Sequence, residues 1–174
     1  MENYLLMKPE AGLEQLSKEL GFTNALFLDR DIVLIKGTPR EILNISRDAH
    51  TKKRITLYEA ETEEQLRFVL ESTSVDLVMG MEKLFGKDST HYPKAGMDQV
   101  LMKIAASKGK TLCFSFSDLL NSGKRPKLMH RVAFNLRLCK KYKVKVLFSN
   151  FSRDKWEIRA EKDLEAVFRI LSQF

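Results

Sequence analysis

Strand-like and helix-like hydrophobic periods alternate along this chain from end to end, and that alternation confines it to an α/β fold built on parallel strands. Strand-sized apolar runs fall at residues 3–7, 24–28, 32–36, 55–59, 75–79, 111–115 and 144–149. Helical spacing lies between them. Thr38 precedes Pro39 and Glu41, and Thr62 stands three residues before Gln65, both patterns that open a helix. A helix opening near Pro9 carries Leu13, Leu16 and Leu20 and stops at Gly21; another, from Met97, carries Val100, Leu101, Ile104 and Ala105 and stops at Gly109. The expected architecture is one domain over residues 1–174, a shortened TIM-type (β/α) barrel of about seven strands. Seven is one short of a closed eight-stranded ring, so closure stays open at this stage.

Two places break the rhythm. Asp29, Arg30 and Asp31 join two strands with too few residues for a helix, so either a hairpin sits there or a crossover helix is missing. Residues 81–94 form a long connection with Gly86 and Pro93 and little period, the length of a functional loop or of a long surface one.

Charge is distributed unevenly. Residues 1–100 hold 13 Lys and Arg against 17 Asp and Glu, whereas residues 101–174 hold 17 against 6, so a net charge of +7 comes entirely from the second part. A field that concentrated suits a polyanion, and phosphate backbones are the commonest one, because each neutralised phosphate releases a condensed counterion. No apolar run approaches the roughly 18 to 20 residues of a membrane span. Met1 followed by Glu2 does not open a secretory signal, so a cytoplasmic protein is expected. Cys113 and Cys139 lie among apolar residues and are expected to be reduced core thiols.

The bias is densest over residues 124–145, where nine Lys or Arg stand without one Asp or Glu. Wound as a helix, this stretch puts Leu128, Val132, Leu136 and Cys139 on one face and Lys127, His130, Arg131, Arg137 and Lys141 on the other. The RNA-contacting candidates are Lys124, Arg125, Lys127, Arg131, Arg137, Lys140 and Lys141. Phe134 and Leu138 interrupt the basic stripe. They either stack on an unpaired base, anchor a partner protein, or pack on the neighbouring helix.

Catalytic furniture is thin. In an α/β barrel the reacting groups follow the strands, here near Lys8, Asp29, Lys36, Glu59, Gly80, Phe116 and Asn150. His50, His91 and His130 fall elsewhere and suit no metal site. Asp29 and Glu59 both follow strands and would make a carboxylate pair, although loop solvation or an ion pair to Lys36 explains them as well. No glycine-rich phosphate loop, nucleophile elbow or zinc-binding cysteine pair is present. No catalytic residue and no metal ligand is assigned.

The segments AGMDQVLMKIAASKG (95–109), TLCFSFSDLL (111–120), RPKLMHRVAFNLRLCKKYKV (125–144) and WEIRAEKDL (156–164) together resemble ribonuclease P protein component 3. This is the archaeal relative of the eukaryotic subunit shared by ribonucleases P and MRP. The resemblance is clearest over residues 75–171 and continues more weakly from Ile32, where IKGTPREI is similar to the family's strand-to-helix step. It implies a TIM-type barrel similar to that of polymerase and histidinol phosphatase (PHP) metal hydrolases, without their working metal site. It also implies a subunit that binds no cofactor itself, supporting a catalytic RNA whose Mg²⁺ removes the 5′ leader of precursor tRNA. Implied partners are the ribonuclease P RNA and a second small protein subunit, with precursor tRNA as the substrate of the complex. The family's basic helix corresponds to Arg125 through Lys141, and its Trp-acidic-apolar-Arg element to Trp156, Glu157, Ile158 and Arg159. Arg159 joins the RNA-contacting candidates; Phe134, Leu138 and Trp156 are the partner-contacting ones, Trp156 having a plainer reading as a plug over the barrel end. This chain is short for the family, and its first strand lacks an Asp- and His-rich opening.

Two other readings compete: a free-standing metal-dependent barrel hydrolase of the PHP type, and a scaffold whose basic helix binds an acidic protein.

Overall fold

Every strand-like run becomes a strand in the computed structural model, which describes residues 1–173. In chain order the elements are β1 (Glu2–Leu5), α1 (Leu13–Glu19), β2 (Asn24–Phe27), β3 (Ile32–Ile35), α2 (Pro39–Thr51), β4 (Ile55–Glu59), α3 (Glu63–Ser72), β5 (Leu77–Met79), α4 (Gln99–Ser107), β6 (Thr111–Ser115), α5 (Phe116–Asn121), α6 (Arg125–Tyr142), β7 (Lys145–Ser149) and α7 (Glu161–Leu171). Short 3-10 turns at Met81–Lys83 and Lys155–Glu157 follow β5 and β7. The start signals act as read: the Thr38 hydroxyl accepts from the Glu41 amide while the Glu41 carboxylate accepts from the Thr38 amide, and Thr62 caps α3 through Gln65.

Strands β3-β4-β5-β6-β7 form one parallel sheet and β1-β2 a second parallel pair. Two joints connect them. Beyond β7, the Phe151 amide donates to the Tyr4 carbonyl at 2.7 Å and the Leu6 amide to the Ser152 carbonyl at 2.8 Å. At the other joint, Asp29 turns with φ 64°, its amide donating to Ile32 at 2.9 Å while the Asp31 amide donates back to Phe27. Residues 29–31 therefore form no hairpin, and no crossover helix stands between β2 and β3, the second of the two alternatives; the three residues step the chain from one parallel sheet directly into the other. The strand run 111–115 ends where it was read to end. Ser115 caps a helix that starts at Phe116, its hydroxyl accepting from the Asp118 amide, so only the first half of the segment 111–120 is strand.

The period-2 pattern explains the two cores. One face of the main sheet carries Ile35, Tyr58, Val78, Leu112, Phe114 and Phe148 against the helices. The other carries Ile32, Leu57, Leu77, Met79 and Cys113, and these meet Tyr4, Leu6 and Phe151 rather than a second helix layer. The inner cluster is thus closed by β1 and by the chain leaving β7. Cys113 and Cys139 are buried and free; burial pushes both thiols up, Cys139 to about 12, so they remain protonated. Among the described residues no helix is long and apolar enough to cross a membrane.

Candidate nucleic-acid interface

Helix α6 carries the basic stretch, and its own ends explain part of the charge. Lys140 and Lys141 lie in the last turn, where cations oppose the helix dipole, and Lys143 closes it with φ 57°. The first turn has no acidic residue, which is unfavourable there. Arg125, the first residue of α6, is turned back onto the preceding helix: its guanidinium donates to the carbonyls of Leu119 and Leu120 at 2.9 and 2.6 Å, so it satisfies the C-terminal end of α5. Lys127 donates to the Gly86 carbonyl at 2.8 Å and lies 3.5 Å from Asp88.

Arg131 does not belong to the exposed stripe. It is 4% exposed, donates to the carbonyls of Glu82 and Phe85 at 2.9 and 2.6 Å, and forks onto Asp88 at 2.8 and 2.7 Å. One turn further, buried Asn135 donates to the Ala95 carbonyl at 2.8 Å. The long connection after β5 lies across this flank, so α6 is covered where a two-faced wheel leaves it open. Arg131 is therefore withdrawn as an RNA contact, because its fork is spent inside the protein.

The cations left outward on this region are Lys124, Arg137, Lys140 and Lys141, continued by Lys143 and Lys145. Arg137 lies 5.7 Å from the centre of the Phe134 ring. Phe134 and Leu138 are half-buried and line a groove of about 480 Å³ with Phe85, Tyr92, Pro93 and Met97. Leu138 also packs on the main core, as the plain reading of that residue had it.

The C-terminal ends of the strands carry charge already matched to charge. Lys83 bridges Glu59 and Asp118 at 2.9 and 2.8 Å, and Arg153 spans the same two carboxylates at 2.9 and 3.4 Å. Lys36 approaches Glu59 at 3.9 Å. Burial pushes the Glu59 carboxyl up, but Lys83 and Arg153 outweigh it and hold it below the usual carboxylate range. Burial likewise lowers Lys83, and Asp118 and Glu59 more than restore it. Asp29 faces Lys8 at 3.7 Å instead of joining Glu59. Beneath the network, Glu82 is 1% exposed with one carboxylate oxygen unpartnered; burial pushes it up to about 7. The three histidines are exposed on α2, in the long connection and on α6. Among the described residues no three His, Cys, Asp or Glu side chains gather as a metal site would require. Lys83, Asp118 and Arg153 were missed in the sequence because their spacings of 35 residues carry no local period. Asp118 following strand β6 was the one available signal.

The turn between β7 and α7 holds Trp156 at 77% exposure, so it is not a plug in the barrel end. Arg159 is half-buried and donates to the carbonyls of Trp156 and Ile158 at 2.8 and 2.9 Å.

Comparison with solved structures gives this geometry a counterpart. The fold is that of a chain in archaeal ribonuclease P with mature tRNA. The match covers 98% of this chain and 72% of that one, with a TM-score of 0.65 and 21% identity. Two further structures, an uncharacterised protein (TM-score 0.56, 12% identity) and an amidohydrolase (0.52, 14%), match 79% and 92% of this chain but only 33% and 40% of their own. No protein-family model and no curated protein matches the sequence.

Proposed function

We propose that this chain is a protein subunit of ribonuclease P, supporting the catalytic RNA in removing the 5′ leader of precursor tRNA. The observation that carries the reading is the fold shared with a chain of archaeal ribonuclease P over nearly the whole length of this one. The charge split and the outward cations of α6 agree with it. In this reading the two sheets form one seven-stranded barrel, joined at β7–β1 and β2–β3. Lys124, Arg137, Lys140 and Lys141 meet phosphates, with Arg125, Lys127 and Arg159 adding the donors that their internal bonds leave over. The groove lined by Phe134 and Leu138 takes the second small protein subunit. Mg²⁺ belongs to the RNA, and a cytoplasmic location follows from the substrate.

A free-standing hydrolase fits less well, because the carboxylates such a site would need are neutralised by Lys83 and Arg153. Binding of the full chain to ribonuclease P RNA across a salt series tests the proposal. If Arg137, Lys140 and Lys141 each meet a phosphate, replacing all three by Ala lowers the log–log salt slope by about 2 to 3. An unchanged slope removes α6 from the RNA interface.

A further inference from the structure

Trp156 is the only tryptophan of the chain, and it is displayed at 77% exposure on a turn held with unusual thoroughness. Its amide donates to the Asp154 carboxylate at 2.9 Å, and its carbonyl accepts from Arg159 at 2.8 Å. The next residue, Glu157, accepts from the Ser117 hydroxyl, the Asn121 amide group and the Arg153 backbone amide, the last at 3.0 Å. Arg159 in turn exchanges hydrogen bonds with Asn150 through its backbone, at 3.0 and 3.1 Å. Both carboxylates of the turn are thereby spent on the protein itself. What faces water is the indole with Lys155, whose ammonium lies 5.3 Å from the ring centre.

A tryptophan left in water on a mobile loop would need no explanation; on a turn whose backbone is tied down, the ordering cost of the turn is met before any ligand arrives, and only the indole rotamer is left to order. A protein anchor of this kind normally sits within an apolar surround that excludes water. Here the neighbours along the turn, Arg153, Asp154, Lys155 and Glu157, are all charged. An isolated aromatic face beside a cation instead matches how unpaired bases are held: the ring stacks, and the ammonium meets the phosphate. We propose that Trp156 is a preset stacking platform for an unpaired nucleobase of RNA, with Lys155 as its phosphate contact. The inference rests on the RNA-binding reading above and gives it a specific site.

The sole tryptophan makes the test direct. Intrinsic fluorescence of the full chain is titrated with a short single-stranded RNA, with an RNA duplex of equal length, and with the candidate second protein subunit. Stacking predicts strong quenching by the single strand and little by the duplex. It also predicts a loss of single-strand affinity of roughly 5- to 150-fold in Trp156→Ala, the span that stacking of one base confers, with much of it retained in Trp156→Phe. Emission unmoved by single-stranded RNA overturns the proposal, and a blue shift with the second protein alone reassigns Trp156 to protein docking. Quenching by RNA without any effect of the chain on leader removal leaves the stacking site standing and removes the ribonuclease P reading. Stimulated leader removal without quenching does the reverse.

Discussion

Removing the guanidinium of Arg131 takes the side-chain donor from the carbonyls of Glu82 and Phe85 and leaves Asp88 only the Lys94 amide and the nearby Lys127 ammonium. Arg131→Ala should cost about 2 to 3 kcal/mol in urea unfolding, the range for leaving buried carbonyls without a donor, since Asp88 itself stays partly solvated. Arg131→Lys should recover little of it, because one ammonium cannot reproduce the planar fork. Had the residue been a phosphate contact, both substitutions would leave stability unchanged. Glu82 gives a pH signature of its own. Its folded pKa of about 7 lies above its ordinary 4.5, so the folded state keeps a proton that the unfolded state releases. Its contribution is therefore intact below about pH 4.5 and is lost as pH rises through 7. Glu82→Gln should stabilise the protein by on the order of 2 to 3 kcal/mol at pH 8 and by much less at pH 5, read as unfolding free energies. An equal gain at both pH values would contradict the burial argument.

At the scale of elements, the connection after β5 and helix α6 act as one unit. Gly96 shows how tightly the connection folds on itself: with φ +82°, a Cβ added there would stand 2.0 Å from the Met81 carbonyl oxygen. The obstacle is backbone and not a flexible side chain, so it cannot give way cheaply. Gly96→Ala should destabilise by about 2 kcal/mol or more, and hydrogen exchange should speed up first in residues 81–98. The helix itself was legible in the sequence, as were its inward residues Leu128, Val132, Leu136 and Cys139, all buried as expected. Its other side was not. Helical spacing divides a helix into facing-in and facing-out, whereas α6 also receives a loop forty residues distant along its Arg131–Asn135 flank. A charge on the wheel reads as solvated because sequence carries no sign of that loop. Replacing Arg137, Lys140 and Lys141 by Ala should cost only about 1 kcal/mol, the loss of two exposed last-turn cations, and Arg131→Ala alone should exceed it.

For the whole molecule, alternating periods were enough to give seven strands and a parallel α/β arrangement, because fully buried parallel strands write continuous apolar runs. How the ends meet was not legible. The joints at β7–β1 and β2–β3 rest on a few backbone bonds and on Asp29 in the left-handed region, and neither leaves a periodic trace. The same holds for the strand ends, where Glu59 was visible but its partners Lys83, Arg153 and Asp118 come together only in the fold. The basic second half supports the proposed polyanionic partner. The most direct measurement is 5′ leader cleavage of a precursor tRNA by the reconstituted ribonuclease P RNA and proteins at limiting Mg²⁺, with this chain present, omitted, or supplied alone. A ribonuclease P subunit predicts cleavage that depends on the RNA, rises when this chain is added, and is absent with the chain alone. Cleavage unchanged by its omission, or cleavage by the chain without RNA, would contradict it.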